Sequence, residues 1–173
     1  MEIHLNKKNL YINGCSWCDG DELDDRRKER FSYKLSKDLN LNEVNESISG
    51  CSNETIIVNS MKWIYDNQEL HNETIFIIGF TIESRSKYDW EMYDIILFQA
   101  FLQSLGVEHI LFFSFGKSHK DIGLNNFTKE AFYEVISKDM NKMSDVFCEN
   151  GHPNKISHEK FADYLKDIII ETE

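Results

Sequence analysis

Short apolar runs alternate along this chain with longer stretches whose apolar residues return every third or fourth position. Leu10–Ile12 runs into Asn13-Gly14 and predicts a strand that enters a tight turn. Glu29–Leu39 carries Phe31, Leu35 and Leu39 on one face and predicts a helix, and Glu43–Ile48 predicts a short strand ending at Ser49-Gly50. Ile57, Met61 and Ile64 form the stripe of the next helix, with Ser52 or Asn53 as its N-cap. Thr74–Phe80 (TIFIIGF) and His109–Phe115 (HILFFSF) are β-branched and aromatic with little alternation, the pattern of strands covered on both faces. Between them, Trp90–Leu105 predicts a long apolar helix that stops before Gly106. Thr128–Lys138, capped by Thr128, and Ser157–Ile170 predict two further helices, with a short last strand at Asp145–Cys148.

Strands alternating with helices, two of the strands apolar on both faces, predict an α/β fold. The expected architecture is a three-layer α/β/α sandwich around a parallel, flavodoxin-like sheet of four or five strands. The 173 residues suit a single domain, with no internal repeat, low-complexity tract or Pro-rich linker. In such sheets ligands gather beyond the carboxyl ends of the strands. Four segments fall there: Gly14-Cys15-Ser16, Ser49-Gly50-Cys51, Gly79-Phe80-Thr81 and Glu149–His152. A serine hydroxyl becomes a nucleophile when a neighbouring base takes its proton, which makes Ser16 and His152 a candidate pair. Glu149, three residues before His152, is placed to fix the imidazole tautomer. The Gly50 N–H and the Thr81 side chain are candidate donors to a developing oxyanion, and Arg85 is a candidate contact for an anionic substrate group.

With these segments in hand, the sequence is similar to the SGNH (GDSL-type) hydrolases, over Leu10 to Leu165. Tyr11 to Gly20 (YINGCSWCDG) resembles the first block of that family, which implies Ser16 as nucleophile. Asn45–Gly50 with Ser52-Asn53 resembles the second, implying the Gly50 N–H in the oxyanion hole. Ile77-Ile78-Gly79-Phe80-Thr81 falls on the third block, normally Gly-x-Asn-Asp, and Glu149-Asn150-Gly151-His152-Pro153 on the last, normally Asp-x-x-His-Pro. That assigns His152 as base and Glu149 to the acid position. Cys15 stands where the family has Asp, Glu149 where it has Asp, and Thr81 where it has the Asn that donates to the oxyanion. Losing one such donor typically costs about 10²–10³ in rate. The resemblance implies hydrolysis of a small-molecule or carbohydrate ester, or of a lipid ester, with no cofactor.

Composition narrows the partners. The formal charge of −11, from 19 Lys plus Arg against 30 Asp plus Glu, disfavours a nucleic-acid partner. No run approaches the ~20 apolar residues of a membrane span, and Met1 to Asn9 is short and polar, so a cytoplasmic protein with no membrane partner is expected. Two rival readings stay open here. One is a catalytically weak or inactive SGNH-like binding domain, for which Thr81 argues. The other is a metal or redox module built on Cys15-x-x-Cys18 with Cys51, Cys148 and His152. Against the second, only one C-x-x-C is present, and the acidic run Asp19 to Asp25 is expected to raise thiol pKa values. No bound metal is expected. His158 is a second candidate base, otherwise a surface residue of the last helix.

Overall fold

The computed structural model describes residues 6–81, 91–115, 126–138 and 140–171. Arg85 lies outside them. Four strands, β1 (Asn9–Gly14), β2 (Asn42–Asn45), β3 (Thr74–Phe80) and β4 (Glu108–Phe113), form one sheet in the order β2-β1-β3-β4. Every pairing is parallel, and the register sets Gly14 opposite Gly79 and Phe80 opposite Phe113. The apolar strands are buried on both faces because their alternate residues enter two separate cores. Leu10, Ile12, Ile75, Ile77, Ile110 and Phe112 face one core, and Tyr11, Phe76, Ile78, Phe80, Leu111 and Phe113 face the other.

The first core is closed by helices α3 (Phe31–Asp38), α6 (Phe132–Ser137) and α7 (Lys155–Glu171), through Phe31, Leu35, Phe132, Phe161 and Leu165. The second is closed by α4 (Asn53–Asp66) and α5 (Glu91–Ser104), through Ile56, Ile64, Ile95, Phe98 and Leu102. This is the three-layer α/β/α sandwich with a flavodoxin-like strand order that the pattern predicts. No described helix is long and apolar enough to cross a membrane.

Several local expectations differ from the structure. The helix expected over Glu29–Leu39 begins two residues later, as α3, separated from a short preceding helix, α2 (Arg26–Glu29), because Arg30 is extended, with φ −69° and ψ 152°. Its guanidinium reaches Glu43 on β2 through Nε–H and Nη2–H at 2.9 and 3.1 Å. Thr128 is not a cap: its hydroxyl donates to the Glu130 carbonyl, and α6 begins only at Phe132, where Glu134 reaches back to the Ala131 N–H at 2.8 Å. The expected strand at Asp145–Cys148 is a 3₁₀ turn, Met143–Asp145, followed by a single bridge between Phe147 and Pro153. His158 is fully buried rather than at the surface.

Candidate active site

In this strand order the direction of winding reverses between β1 and β3, and the crevice beyond their carboxyl ends is the usual ligand position. Two glycines let the chain pack closely at that end of the sheet. A Cβ added at Gly79 would lie 2.5 Å from the Phe112 ring and 2.6 Å from Cys18 Sγ, and one at Gly14 only 2.3 Å from the same sulfur. Backbone without side chains therefore lets the turn after β1 lie directly on the sheet. That turn is α1 (Ser16–Asp19), whose first residue is the buried Ser16 and whose C-cap is Gly20 at φ +84°. The Ser16 carbonyl accepts the N–H of Gly20 at 3.0 Å and of Asp21 at 3.1 Å.

Thr81 follows β3 at the other side of the crevice. The Asn53 side chain clamps its backbone, accepting its N–H at 2.8 Å and donating to its carbonyl at 3.3 Å. The Thr81 hydroxyl is buried and has no hydrogen-bond partner among the described residues, an uncommon state for a buried donor. Gly50, at φ +75°, lies in the loop between β2 and α4. That loop is tied to the end of β1, since the Ile48 N–H and the Cys51 thiol both donate to the Gly14 carbonyl, at 3.0 and 3.4 Å.

His152 sits half-buried in the loop before α7, closed by the Cys148 N–H donating to its carbonyl at 2.8 Å. The carboxylate at its ring is not that of Glu149, which is exposed on the turn. Glu22 Oε2 lies 2.7 Å from His152 Nδ1 and accepts the His152 backbone N–H at 3.2 Å. Glu22 Oε1 accepts the backbone and side-chain N–H of Asn150, at 2.9 and 2.7 Å. These donors, led by the Asn150 backbone N–H, hold the Glu22 carboxyl down at about 2. On the far side of the ring, Asp21 Oδ2 lies 3.8 Å from His152 Nε2 and accepts the Ser49 hydroxyl, while Asp21 Oδ1 pairs with Arg26 at 2.7 Å. Residues 20–22 thus touch the carbonyl of Ser16, the loop of Gly50 and the imidazole of His152.

Glu22, Asp21 and Asn53 were not among the expected site residues. Asn53 figured in the second-block resemblance and as a candidate helix cap, a part that Ser52 takes by accepting the Thr55 N–H. Glu22 was visible only as one member of an acidic run.

Cys15 and Cys18 are fully buried, with Cys51 near them. Burial is the main cause that pushes the Cys18 thiol well up, with the neighbouring Cys15 and Cys51 sulfurs adding to it, so the acidic run expected to do so is not the cause there. That run acts instead on Cys148, where burial comes first and Glu22 and Asp24 follow. Among the described residues no group of three His, Cys, Asp or Glu side chains is arranged to hold a metal ion.

No protein-family model matches the chain, and no curated protein matches it. Solved structures do. The psychrotrophic esterase EstA from Pseudoalteromonas sp. superposes with a TM-score of 0.67 at 13% identity, covering 94% of this chain and 99% of the esterase. TesA gives a TM-score of 0.66 at 13% identity, over 90% of this chain and 94% of that one. A G-D-S-L family protein from Desulfitobacterium hafniense DCB-2 gives 0.65 at 11% identity, over 94% and 99%. At these identities the likeness is one of fold, and it agrees with the strand order described above: the chain has the fold of the SGNH (GDSL-type) hydrolases.

Proposed function

We propose that the protein is a serine esterase in which Ser16 is the nucleophile and His152 the base. The observation that carries this reading is the position of the Ser16 turn in the β1/β3 crevice of an SGNH fold, with His152 held by a carboxylate and joined to that turn through residues 20–22. In the proposed reaction His152 Nε2 takes the Ser16 hydroxyl proton as Oγ bonds to the ester carbonyl carbon. The carbonyl oxygen becomes an oxyanion, met by the Ser16 and Gly50 N–H groups and the Thr81 hydroxyl, which has no partner among the described residues. Collapse breaks the bond to the alkoxide, which leaves with the proton from His152. Water then attacks the acyl-Ser16, again through His152, and releases the acid. Arg85 is proposed as a contact for the substrate, which is a small-molecule, carbohydrate or lipid ester.

The test is reaction with a serine-directed phosphonate and hydrolysis of a p-nitrophenyl ester. A single adduct on Ser16, with labelling and hydrolysis both abolished in Ser16→Ala, is expected. An unlabelled protein that still binds acetylated sugars would instead support the second reading, a non-catalytic binding domain. Asp21 favours that alternative, because a carboxylate 3.8 Å from Nε2 competes for the nitrogen that must receive the proton.

A further inference from the structure

We infer that Glu22, carried on the loop after the nucleophile turn, is the residue that positions His152, in the place where the motif puts Glu149. The inference rests on the proposed Ser16–His152 chemistry and adds to it the third member of the arrangement.

Three observations lead there. The first is the contact itself. Oε2 of Glu22 is 2.7 Å from Nδ1, while Glu149 is exposed on a turn closed by the Gly151 N–H donating to the Cys148 carbonyl at 3.2 Å. The second is saturation. One carboxylate takes four donors from residues 150 and 152, two on each oxygen, so the loop carrying the base is latched to the loop that follows the nucleophile. The third is backbone strain. Glu22 has φ +68°, a left-handed conformation that side-chain-bearing residues adopt at a cost. Such outliers persist where the surroundings over-determine them, and they gather at functional sites.

The chemistry follows from the donor inventory. An ionised carboxylate only accepts, so the proton between Glu22 and the ring sits on Nδ1, and the lone pair of the neutral imidazole is left on Nε2. That is the tautomer a base for Ser16 must have. When the imidazole takes the Ser16 proton, Glu22 faces the new positive charge directly. Among the described residues the other charged group at the ring is Asp21, already engaged by Arg26 and Ser49, and the Cys148 thiol donates to the Glu22 carbonyl at 3.9 Å.

The experiment compares Glu22→Gln with Glu149→Gln in the full chain. Glu22→Gln is expected to lower kcat by about 10²–10⁴, the range seen when an orienting carboxylate is lost elsewhere. It should also move the acid limb of the rate profile to lower pH, since the imidazolium loses its counter-charge. Glu149→Gln should change neither by more than about twofold. Asn150→Ala removes one latch donor and leaves the imidazole contact. It should retain the acid limb of the unaltered protein, which separates positioning of the ring from simple tethering of the loop. The downfield proton signal of His152 Nδ1–H, present in the unaltered protein and lost in Glu22→Gln, reads the same contact without turnover. It therefore tests Glu22 even in a protein that hydrolyses nothing and whose Ser16 resists phosphonate. The inference is overturned if the signal survives in Glu22→Gln, or if Glu149→Gln carries the loss of rate and the shift of the limb.

Discussion

His158 illustrates what a buried titratable group does when it serves packing rather than chemistry. Its Nδ1 accepts the Phe31 N–H at 3.1 Å, its ring stacks on Phe31 at 9°, and it meets the Phe132 ring edge at 78°. Burial, with Arg30 adding to it, pushes its pKa down to about 3. The unfolded residue takes up its proton near 6.5. Between those values the unfolded chain binds more protons, so this residue's stabilising contribution is complete above about 6.5 and is lost as the pH falls toward 3. His158→Asn offers Phe31 an acceptor that does not titrate. The unfolding free energy from urea titration should fall between pH 7 and pH 5 by about 2 kcal/mol less in the variant than in the unaltered protein. Equal falls in both proteins would show that the ring is solvated before it unfolds. The same scale shows why some candidate site residues are legible in a sequence and others are not. Ser16 and His152 stand in short local patterns, a strand end with Gly and a His-Pro before a helix. Glu22 meets His152 across a separation of 130 residues, from a backbone conformation that Glu does not announce. The motif spacing therefore points to Glu149, the nearer carboxylate in sequence but not in space.

At the scale of elements, the crevice depends on how closely α1 approaches the sheet. Gly14 and Gly79 are paired in register, and Cys18 fills the space that their missing side chains leave. Gly79→Ala would drive a methyl into the Phe112 ring and the Cys18 sulfur, at 2.5 and 2.6 Å. Neither neighbour can retreat, because both are fully buried in the same core. Overpacking of this kind costs about 1–3 kcal/mol. The expected result is a lower unfolding midpoint together with slower phosphonate labelling of Ser16, as α1 is displaced from the strand ends. A variant with the lowered midpoint but full labelling rate would show that the strain is taken up on the Phe112 side instead. Strands β3 and β4 were legible because a run apolar on both faces needs no periodicity to be recognised. The helix beginnings were less so: Thr128 looks like a cap, but its hydroxyl satisfies a carbonyl two residues on, and Glu134 sets the start of α6 instead. Cap candidates of equal propensity are chosen by tertiary contacts, which local sequence does not carry.

For the whole molecule, the field matters more than any one ion pair. The chain carries a formal charge of −11, and the described part of the site is acidic in its own right, with Asp21 and Glu22 at the imidazole and Asp24 close to Cys148. Arg26 offsets only one of these charges, because its single guanidinium is shared between Asp19 and Asp21, at 3.1 and 2.7 Å. A crevice lined by one sign of charge concentrates ligands of the opposite sign and repels those of its own, by factors of about 10–10³ in encounter rate at low ionic strength. Half-exposed charges lose this influence beyond about 8 Å at 0.15 M salt. Paired esters with the same acyl group but a cationic or an anionic alcohol should therefore separate in kcat/KM. The cationic ester should be favoured by about tenfold or more in dilute buffer, with the gap closing as salt is raised toward 0.5 M, where the screening length is only a few ångströms. Equal rates at every ionic strength would mean that the acidic groups are neutralised around the substrate. A preference for the anionic ester would mean that the proposed Arg85 contact outweighs the field of the rest of the chain.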